Sequence, residues 1–473
     1  MTQKSDHSLS RGALGTVGII VMSTVLMGPA ISLFFNTPVM AASAGAAVPL
    51  AYLASMVAVL FTAYTVAQFS RKIASAGSFY GFVTEAVGPK SGFLVGWCTF
   101  GAYGGIAMAG GLISGAFLSS VIETHTGVHL SFLACAVAIF VVSGALAFRG
   151  VKLSERFAIV MLGIELATIV IIVAAILLQG GAHGLSAAPF DLGGASLSGI
   201  RSAMVFGIFA FIGFEISASL AEETPDPRRS VPIAVIGCTL VVGAIFVIGS
   251  YAMVMGYGID QIDKLSSDAS AYDTLTGKYA PAIQSIGDII LVQAQIGAMI
   301  AIVTSFARIA FSLGRSGLLP APFGKTHRTY RTPYAGIGGI VAAGVAAALL
   351  SDVNGVDGVT AYNYVGTPAI ILILLVFIAS NISVGRFYKA RYPNEYNVVR
   401  HIIVPWVGIL VLMIPLVAQF YPQPPAPLNW LPAYSALWII LGLGVLAFNR
   451  DRVASLGPSI LADSASQGAE AGK

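Results

Sequence analysis

Residues 206–232, FGIFAFIGFEISASLAEETPDPRRSVP, decide the fold class of this chain. The apolar first half is long enough to enter a bilayer, yet Gly213 stands in its middle and Glu215 follows two residues later. Lipid tolerates neither an unpaired backbone amide nor a bare carboxylate. A helix that is interrupted beside an acid therefore indicates a protein-lined, partly hydrated cavity. Such half-helices are typical of binding sites inside membrane transporters.

The composition of the whole chain is that of an integral membrane protein. Of its 473 residues, 56% are hydrophobic and only 10% are charged, whereas soluble domains are about 25% charged. The mean hydropathy is +0.85. A membrane span needs roughly 20 apolar residues, and the sequence contains twelve candidates. They lie near residues 13–36, 46–69, 91–120, 129–148, 155–178, 197–221, 232–256, 284–313, 334–350, 359–381, 402–420 and 431–449.

The lysine and arginine residues are concentrated in alternate loops. If the amino terminus is cytoplasmic, the loops on the far side hold only Lys264 and Lys278, with Arg201 near the outer mouth, and the cytoplasmic loops hold nearly all the others. The loop bias of lysine and arginine sets membrane orientation. We therefore expect a multi-pass protein of the inner (plasma) membrane with both termini in the cytoplasm. The net charge of +4 follows from this bias and indicates no nucleic-acid partner.

The chain divides into one membrane domain and two tails. We expect a twelve-helix domain over residues 13–450, with disordered cytoplasmic tails at 1–12 and 451–473. Three cysteines, Cys98, Cys135 and Cys238, all fall within apolar spans, so we expect neither a disulfide nor a disulfide-linked heavy subunit. The sequence shows no metal-ligand spacing, no cofactor-binding loop and no pairing of nucleophile and base. It therefore predicts no metal, no cofactor and no enzymatic activity.

The first span is interrupted as well. Residues 27–30, Met-Gly-Pro-Ala, lie near its midpoint, where proline removes an amide donor and glycine lowers the cost of unwinding. The two interrupted spans, the first and the sixth, are five spans apart. This spacing predicts two inverted five-helix repeats whose breaks meet at the centre of the bilayer.

Three motifs in order resemble one transporter superfamily. The first is SAGSFY at 75–80, followed by the Gly88-Pro89 pair; the second is FAFIGFE at 209–215 with EETPDPRRSVP at 222–232; the third is ARIAFSLGRSGLLP at 307–320. They are similar to motifs of the amino acid–polyamine–organocation (APC) superfamily of permeases. The resemblance implies an all-α, LeuT-like membrane fold, with broken helices 1 and 6 and two further helices at the carboxyl end.

The same resemblance places a substrate between the two breaks. The residues implied to bind it are Met27, Gly28, Pro29, Ala30, Phe209, Phe211, Ile212, Gly213 and Phe214. Amides at the start of a half-helix favour an anion, the carbonyl groups of the second break suit an ammonium group, and Phe209 stands where the family often has an aromatic gate. The family usually carries Gly-Ser-Gly in the first break. Pro29 cannot donate, so one contact to a substrate carboxylate is missing. Packed, kinked helices remain the alternative.

Two acids deep in the spans are candidates for proton coupling. Burial favours the neutral form of a carboxyl group and a bound ammonium favours the ionised form, so Glu215 is suited to take up a proton on one side and release it on the other. Glu165 is the other such acid, where some family members carry lysine. It is a candidate proton carrier or part of a cation site. Each acid has a structural alternative, in which it is hydrogen-bonded to a neighbouring group.

Other polar residues are assigned to gates and to the cavity. At the cytoplasmic end, Glu222, Glu223 and Arg308 are candidates for a salt-bridge gate, unless the basic residues only follow topology. Ser305 and Ser312 on span 8 lie where related folds bind sodium, but serines in membrane helices usually bond their own backbone. Four residues are candidates to line or cover the cavity, or only to pack: Trp97, Tyr103, Asn363 and Tyr364.

The sequence thus predicts a secondary active transporter for amino acids or related amines, with proton-coupled uptake by alternating access. The partners are the small-molecule substrate, the proton and the lipid bilayer. Two alternatives stay within the class, a transporter of polyamines or other organic amines and an amino acid antiporter. A sensor that binds substrate without transporting it is the alternative from another class, and the short tails favour transport over that alternative.

Overall fold

The computed structural model describes residues 15–73, 78–150, 155–219, 221, 224, 226–268, 270–315, 317–421, 426–450 and 452–453. The predicted tails at 1–12 and 451–473 lie outside this range, apart from residues 452–453. Within it the chain is helical and contains no strand, which confirms the all-α class.

The first half of the chain forms eight helices and a short ninth one. In chain order they are α1 (Thr16–Met27), α2 (Pro29–Ala44), α3 (Val48–Ser70), α4 (Ser78–Val87), α5 (Pro89–Thr126), α6 (Phe132–Phe148), α7 (Glu155–Leu178), α8 (Leu197–Ala210) and α9 (Ile216–Ser219).

The second half continues with eight more helices. They are α10 (Pro227–Tyr257), α11 (Ile262–Ser267), α12 (Ala271–Tyr279), α13 (Gln284–Arg315), α14 (Tyr334–Val353), α15 (Gly358–Arg391), α16 (Val404–Ala418) and α17 (Leu431–Phe448). Helix α4 directly precedes α5 in the chain and packs against it. Helices α11 and α12 lie at the opposite end of the bundle, in the connection between α10 and α13.

Nine helical runs in the described residues are long and apolar enough to cross a membrane. The first, Thr16–Ser70, has 55 residues and includes α1, α2 and α3. Two shorter apolar helices, Phe132–Phe148 and Leu197–Ala210, lie where the sequence also predicts spans. The count of twelve spans and the inverted repeat stay predictions.

Small residues bring the central helices close together. Helix α5 packs along α15 and also against α4, α6 and α13. A methyl group on Gly105 would lie 2.6 Å from Ala369 Cβ of α15, and one on Gly115 would lie 2.6 Å from Ala136 Cα of α6. Real Cβ atoms essentially never come so close. Glycine therefore sets the distance between these helices, as it does in many membrane bundles.

The first break separates α1 from α2 at a single residue. Gly28 has φ 53° and ψ 68°, in the left-handed region that glycine adopts without steric cost. Its amide donates to the carbonyl groups of Thr24 and Val25, which ends α1. Pro29 then occupies the first position of α2, where a missing amide costs nothing because that amide would have no partner within the helix.

The second break is longer. Helix α8 ends at Ala210, residues 211–215 form turns, and α9 begins at Ile216. Gly213 has φ 123°, a value that L-residues with a side chain rarely adopt. Both interruptions expected from the sequence are thus present, each centred on a glycine with positive φ.

Candidate functional site

The two breaks touch each other directly. A Cβ added to Gly213 would lie 3.1 Å from the Met27 amide nitrogen and 3.1 Å from Leu26 Cγ. A second link follows beyond the breaks, where the Ser23 hydroxyl of α1 lies 2.6 Å from the Ser217 hydroxyl of α9. The structure therefore brings the two interrupted segments together inside the bundle, as two broken helices that jointly form one site would require.

This contact predicts unequal effects of two alanine substitutions. Gly28→Ala introduces a left-handed alanine, at about 1–2 kcal/mol, but its Cβ would meet nothing nearer than 3.5 Å. Gly213→Ala adds the clash with Leu26 and Met27 to a strained backbone, which by itself costs about 1–3 kcal/mol. We expect Gly213→Ala to lower the thermal unfolding midpoint of the purified protein more than Gly28→Ala. Equal midpoints for the two variants would contradict the direct contact between the breaks.

Glu215 lies at the end of the second break and is 2% exposed. The Tyr103 hydroxyl of α5 donates to its Oε1 at 2.7 Å, and the Gly213 amide donates to its Oε2 at 3.0 Å. The carboxyl group therefore connects α5 to the unwound segment. Tyr103, which the sequence assigned to the cavity or to packing, is the hydroxyl partner of this acid.

Glu165 lies on α7 and is 5% exposed. Its Oε1 accepts a hydrogen bond of 2.8 Å from the Ala30 amide at the start of α2. A helix amino terminus favours an anion, and here the protein supplies one. Because Pro29 has no amide hydrogen and the Ala30 amide is engaged, the first two residues of α2 offer no unoccupied amide donor to a substrate carboxylate in this structure.

The carbonyl groups of the second break are partly engaged. The Phe211 carbonyl accepts from the Phe214 amide at 3.3 Å, and the Gly213 carbonyl accepts from the Ile216 amide at 3.1 Å. A carbonyl oxygen has two lone pairs, so each retains one acceptor position for an ammonium group. Short turns within the break thus use one of the two acceptor positions on each of these carbonyls.

The aromatic side chains of the second break have different surroundings. Phe211 packs edge-on against Phe246 of α10, with ring centroids 5.3 Å apart, and Phe214 packs against Phe377 of α15 at 5.5 Å. Both are buried in helix contacts, and Ile212 is buried as well. Phe209 is half-buried and meets Tyr362 edge-on at 5.5 Å. Among these residues, Phe209 alone keeps the partial exposure that a gate needs.

A polar contact that sequence reasoning missed supports the Phe209 ring. The Tyr362 hydroxyl of α15 donates to Asn36 Oδ1 of α2 at 2.6 Å. This bond ties the aromatic pair of Phe209 and Tyr362 to the helix that follows the first break. An asparagine within an apolar span was the available signal, because polar residues in spans seldom lack a partner or a role.

A second missed residue is Gln295 on α13. It is 0% exposed, and neither its amide nitrogen nor its amide oxygen has a hydrogen-bond partner in the described part of the chain. Ala298, one turn along the same helix face, lies 3.9 Å from the position that a Gly28 Cβ would take. Gln295 therefore stands on the face of α13 that approaches the first break, with unsatisfied hydrogen-bonding capacity.

The salt-bridge gate stays a prediction, because Glu222 and Glu223 lie outside the described residues. Its third residue, Arg308, is exposed on α13. The Ser305 hydroxyl donates to the Ala301 carbonyl one turn back at 2.9 Å, the backbone bond that was the alternative to a sodium ligand.

A crevice of about 840 Å³ lies away from the breaks, between α5, α14, α15 and α17. Apolar side chains form most of its wall, among them Phe100, Met108, Ile340 and Trp438. None of the break residues and neither of the two deep acids lines it. The crevice is thus separate from the candidate site.

Comparison with known proteins identifies the family. The sequence profile described as "Amino acid permease" matches residues 18–451. This chain belongs to the amino acid permease family. The resemblance drawn from the three motifs is confirmed, and with it the LeuT-like fold class of a multi-pass membrane protein.

Individual relatives of this permease are moderately similar. Cationic amino acid transporter 4 of Mus musculus is 28% identical over 74% of the chain and 56% of the relative. The low-affinity putrescine importer PlaP of Escherichia coli K12 is 25% identical over 70% of the chain and 74% of the importer. The branched-chain amino acid permease BcaP of Bacillus subtilis is 24% identical over 87% of both chains. The permease spans about half the length of the cationic transporter that it matches.

Proposed function

We propose that this permease is a secondary transporter of amino acids or related amines that works by alternating access, and that it is not an enzyme. The observation that carries the proposal is the direct contact between the two broken helices, with one buried carboxyl group hydrogen-bonded to each break. Glu165 accepts from Ala30 of the first break, and Glu215 accepts from Gly213 of the second. The names of the relatives, transporters of amino acids or putrescine, support the same class of substrate.

The substrate amine is proposed to bind beside the second break. Glu215 offers a carboxylate there, and the carbonyl groups of Phe211 and Gly213 each offer one acceptor position. Hydrogen bonds between an ammonium and a carboxylate are about twice as strong as neutral ones. The aromatic pair of Phe209 and Tyr362 would cover the bound amine on the side that faces α2 and α15.

A substrate without a carboxylate is the second candidate, favoured by Glu165. The Ala30 amide donates its hydrogen bond to the carboxyl group of Glu165, and the neighbouring Pro29 has no amide hydrogen to donate. A free amino acid would have to compete with Glu165 for that position, whereas a di- or polyamine would not. The similarity to a putrescine importer agrees with this reading.

We further propose that protons drive uptake and that Glu215 carries them. A buried carboxyl group between two donors changes charge when an ammonium group binds or leaves. The orientation proposed for this cycle places both termini in the cytoplasm and α11 and α12 on the outer side of the inner membrane, as the loop bias of lysine and arginine predicts. Exchange of an amino acid for a related amine is the antiport form of the same cycle.

Two measurements test the proposed function. Purified protein in detergent is screened by thermal shift against amino acids, their decarboxylated amines and polyamines, and hits are assayed for uptake into proteoliposomes under proton or sodium gradients. We expect stabilisation by at least one amine-bearing ligand and uptake that follows the proton gradient. Binding without uptake or exchange would instead indicate the sensor, and the absence of any binding and any uptake would contradict the proposal.

Gln295 provides a prediction about the cavity. Replacing it by leucine removes a buried amide that has no partner among the described residues. Such a group costs about 1–3 kcal/mol when unsatisfied. We expect Gln295→Leu to leave thermal stability unchanged or to raise it, and to weaken ligand binding about tenfold if the amide contacts substrate. Gln293→Leu, at a half-buried position on the same helix, is the matched control. Unaltered ligand affinity in Gln295→Leu would exclude this residue from the site.

A further inference from the structure

Three potential metal ligands from three helices converge at the end of the bundle that carries α11 and α12. His125 lies at the end of α5, Asp273 in α12 and Asp288 near the start of α13. One ligand atom from each residue lies within 4.8 Å of the others. This cluster is far along α5 from Tyr103 and belongs to neither break.

The central residue of the cluster is Asp288, which is 0% exposed. Its Oδ2 lies 2.6 Å from His125 Nε2, while its Oδ1 has no hydrogen-bond partner in the described residues. A buried carboxylate oxygen without a partner is costly. Such groups in native structures are rare and usually contact a water or an ion.

Asp273 of α12 is likewise a buried aspartate with one unpartnered oxygen among the described residues. It is 8% exposed, and Gln284 donates to its Oδ1 at the long distance of 3.4 Å. Its Oδ2 has no partner within the described part of the chain. Among the described residues, one buried oxygen of each aspartate thus lacks a donor from a third residue, and the cluster also contains an imidazole nitrogen.

The cluster is short of positive charge. Asp273 and Asp288 are both buried, and a carboxylate oxygen of one lies within 4.8 Å of a carboxylate oxygen of the other. Within the described part of the chain, His125 is the basic residue at hydrogen-bonding distance from the pair, and it contacts Asp288 through Oδ2. A cation bound between the oxygens would relieve the repulsion and satisfy both unpartnered atoms.

We propose that His125, Asp273 and Asp288 form a binding site for a divalent transition-metal cation of the zinc class. An imidazole nitrogen with two carboxylate oxygens is a ligand set that Zn²⁺ accepts, and water can complete its four-coordinate shell. Imidazole suits zinc, whereas magnesium and calcium prefer oxygen alone. The site is independent of the substrate that the permease carries.

Occupancy of this site would fasten α12 to the membrane helices. Helix α12 already rests on α2, where Tyr272 meets Phe34 edge-on at 5.2 Å, and the Ser270 hydroxyl preceding it lies 2.6 Å from the Ser120 hydroxyl of α5. The metal would add a link from α12 to both α5 and α13. Helix α12 packs on α2, which begins at the first break. Bound zinc would therefore stabilise this end of the bundle in the arrangement described here.

The test uses the full-length protein, purified in detergent and freed of metals with a chelator. Zn²⁺ alone is titrated by calorimetry, and thermal unfolding is followed with and without zinc. We expect one saturable site per chain and a zinc-dependent rise of the unfolding midpoint. The variants His125→Ala and Asp288→Asn should each weaken zinc binding at least about tenfold, the loss typical when metal sites are disturbed.

Matched controls separate this site from adventitious binding. His129 pairs with Glu123 at 3.0 Å in an exposed position where the described residues supply no third ligand, so His129→Ala should leave zinc binding unchanged. If Asp288→Asn fails to fold, zinc binding is measured instead with Asp273→Asn in α12. X-ray absorption of the zinc-loaded protein then reports the ligands directly. No saturable zinc binding, or binding that survives both His125→Ala and an aspartate variant, would overturn the proposal and leave a proton shared by the two aspartates.

Discussion

Replacement of Glu215 by glutamine is expected to abolish proton-driven accumulation while leaving substrate binding and exchange. Glutamine keeps the size of the side chain and an oxygen that accepts from Tyr103 or Gly213, but it cannot take up a proton. A gradient of two pH units stores about 2.7 kcal/mol per proton, which corresponds to about 100-fold accumulation for one-to-one coupling. The variant should accumulate substrate only to about a 1:1 ratio.

The measurement is uptake into proteoliposomes with the membrane potential clamped at zero and the pH gradient imposed. Counterflow of labelled substrate in the same vesicles reports on binding and exchange without a gradient. Glu123→Gln neutralises an exposed acid at the end of α5 and serves as the charge control. Tyr103→Phe removes the hydroxyl donor but keeps the acid, so uphill uptake should persist at a lower rate. Undiminished uphill uptake by Glu215→Gln would refute the coupling role.

Substitution of Glu165 by alanine is expected to change the preference of the site towards ligands that carry a carboxylate. The substitution frees the Ala30 amide at the start of α2. Hydrogen bonds to charged groups contribute about 1.5–3 kcal/mol, so the affinity ratio between an amino acid and its decarboxylated amine should rise about 10- to 150-fold. Lysine and the diamine that lacks only its carboxylate form a matched pair of ligands.

Two companion variants separate charge from hydrogen bonding. Glu165→Gln loses the charge but keeps an oxygen acceptor for the Ala30 amide, so its effect should be smaller than that of Glu165→Ala. Pro29→Ser restores a backbone amide beside Ala30 and should strengthen carboxylate binding by itself. Affinities are read from competition thermal shifts. An unchanged ratio of lysine to diamine in Glu165→Ala and Pro29→Ser would show that the start of α2 does not contact the substrate.

Several features of the fold were predictable because their physical cause is local. An apolar run of about 20 residues identifies a span wherever it occurs. Gly28 followed by Pro29 interrupts a helix by its own backbone chemistry, and Gly213 beside Glu215 does so for similar reasons. The structure has breaks at both places. The three motifs likewise led to the permease family, whose profile matches residues 18–451.

The partners of the deep acids could not be predicted, because they come from distant parts of the chain. Glu165 and Ala30 are 135 residues apart in sequence, and Tyr103 and Glu215 are 112 apart. Hydropathy places each of these residues within a span but does not give the rotation of the helix about its axis. Gln295 shows the same limit, since its sequence neighbours do not reveal that no other described residue bonds its amide.

The sequence by itself determined that the chain crosses a membrane, where two of its helices break, and that two acids are buried. Those properties depend on composition and on backbone preferences within a few residues. Only the tertiary structure decided that Glu165 occupies an amide of the first break, that Tyr103 donates to Glu215, and that His125, Asp273 and Asp288 meet. Such contacts depend on how helices far apart in sequence rotate and pack, and side-chain packing across the whole bundle fixes that arrangement.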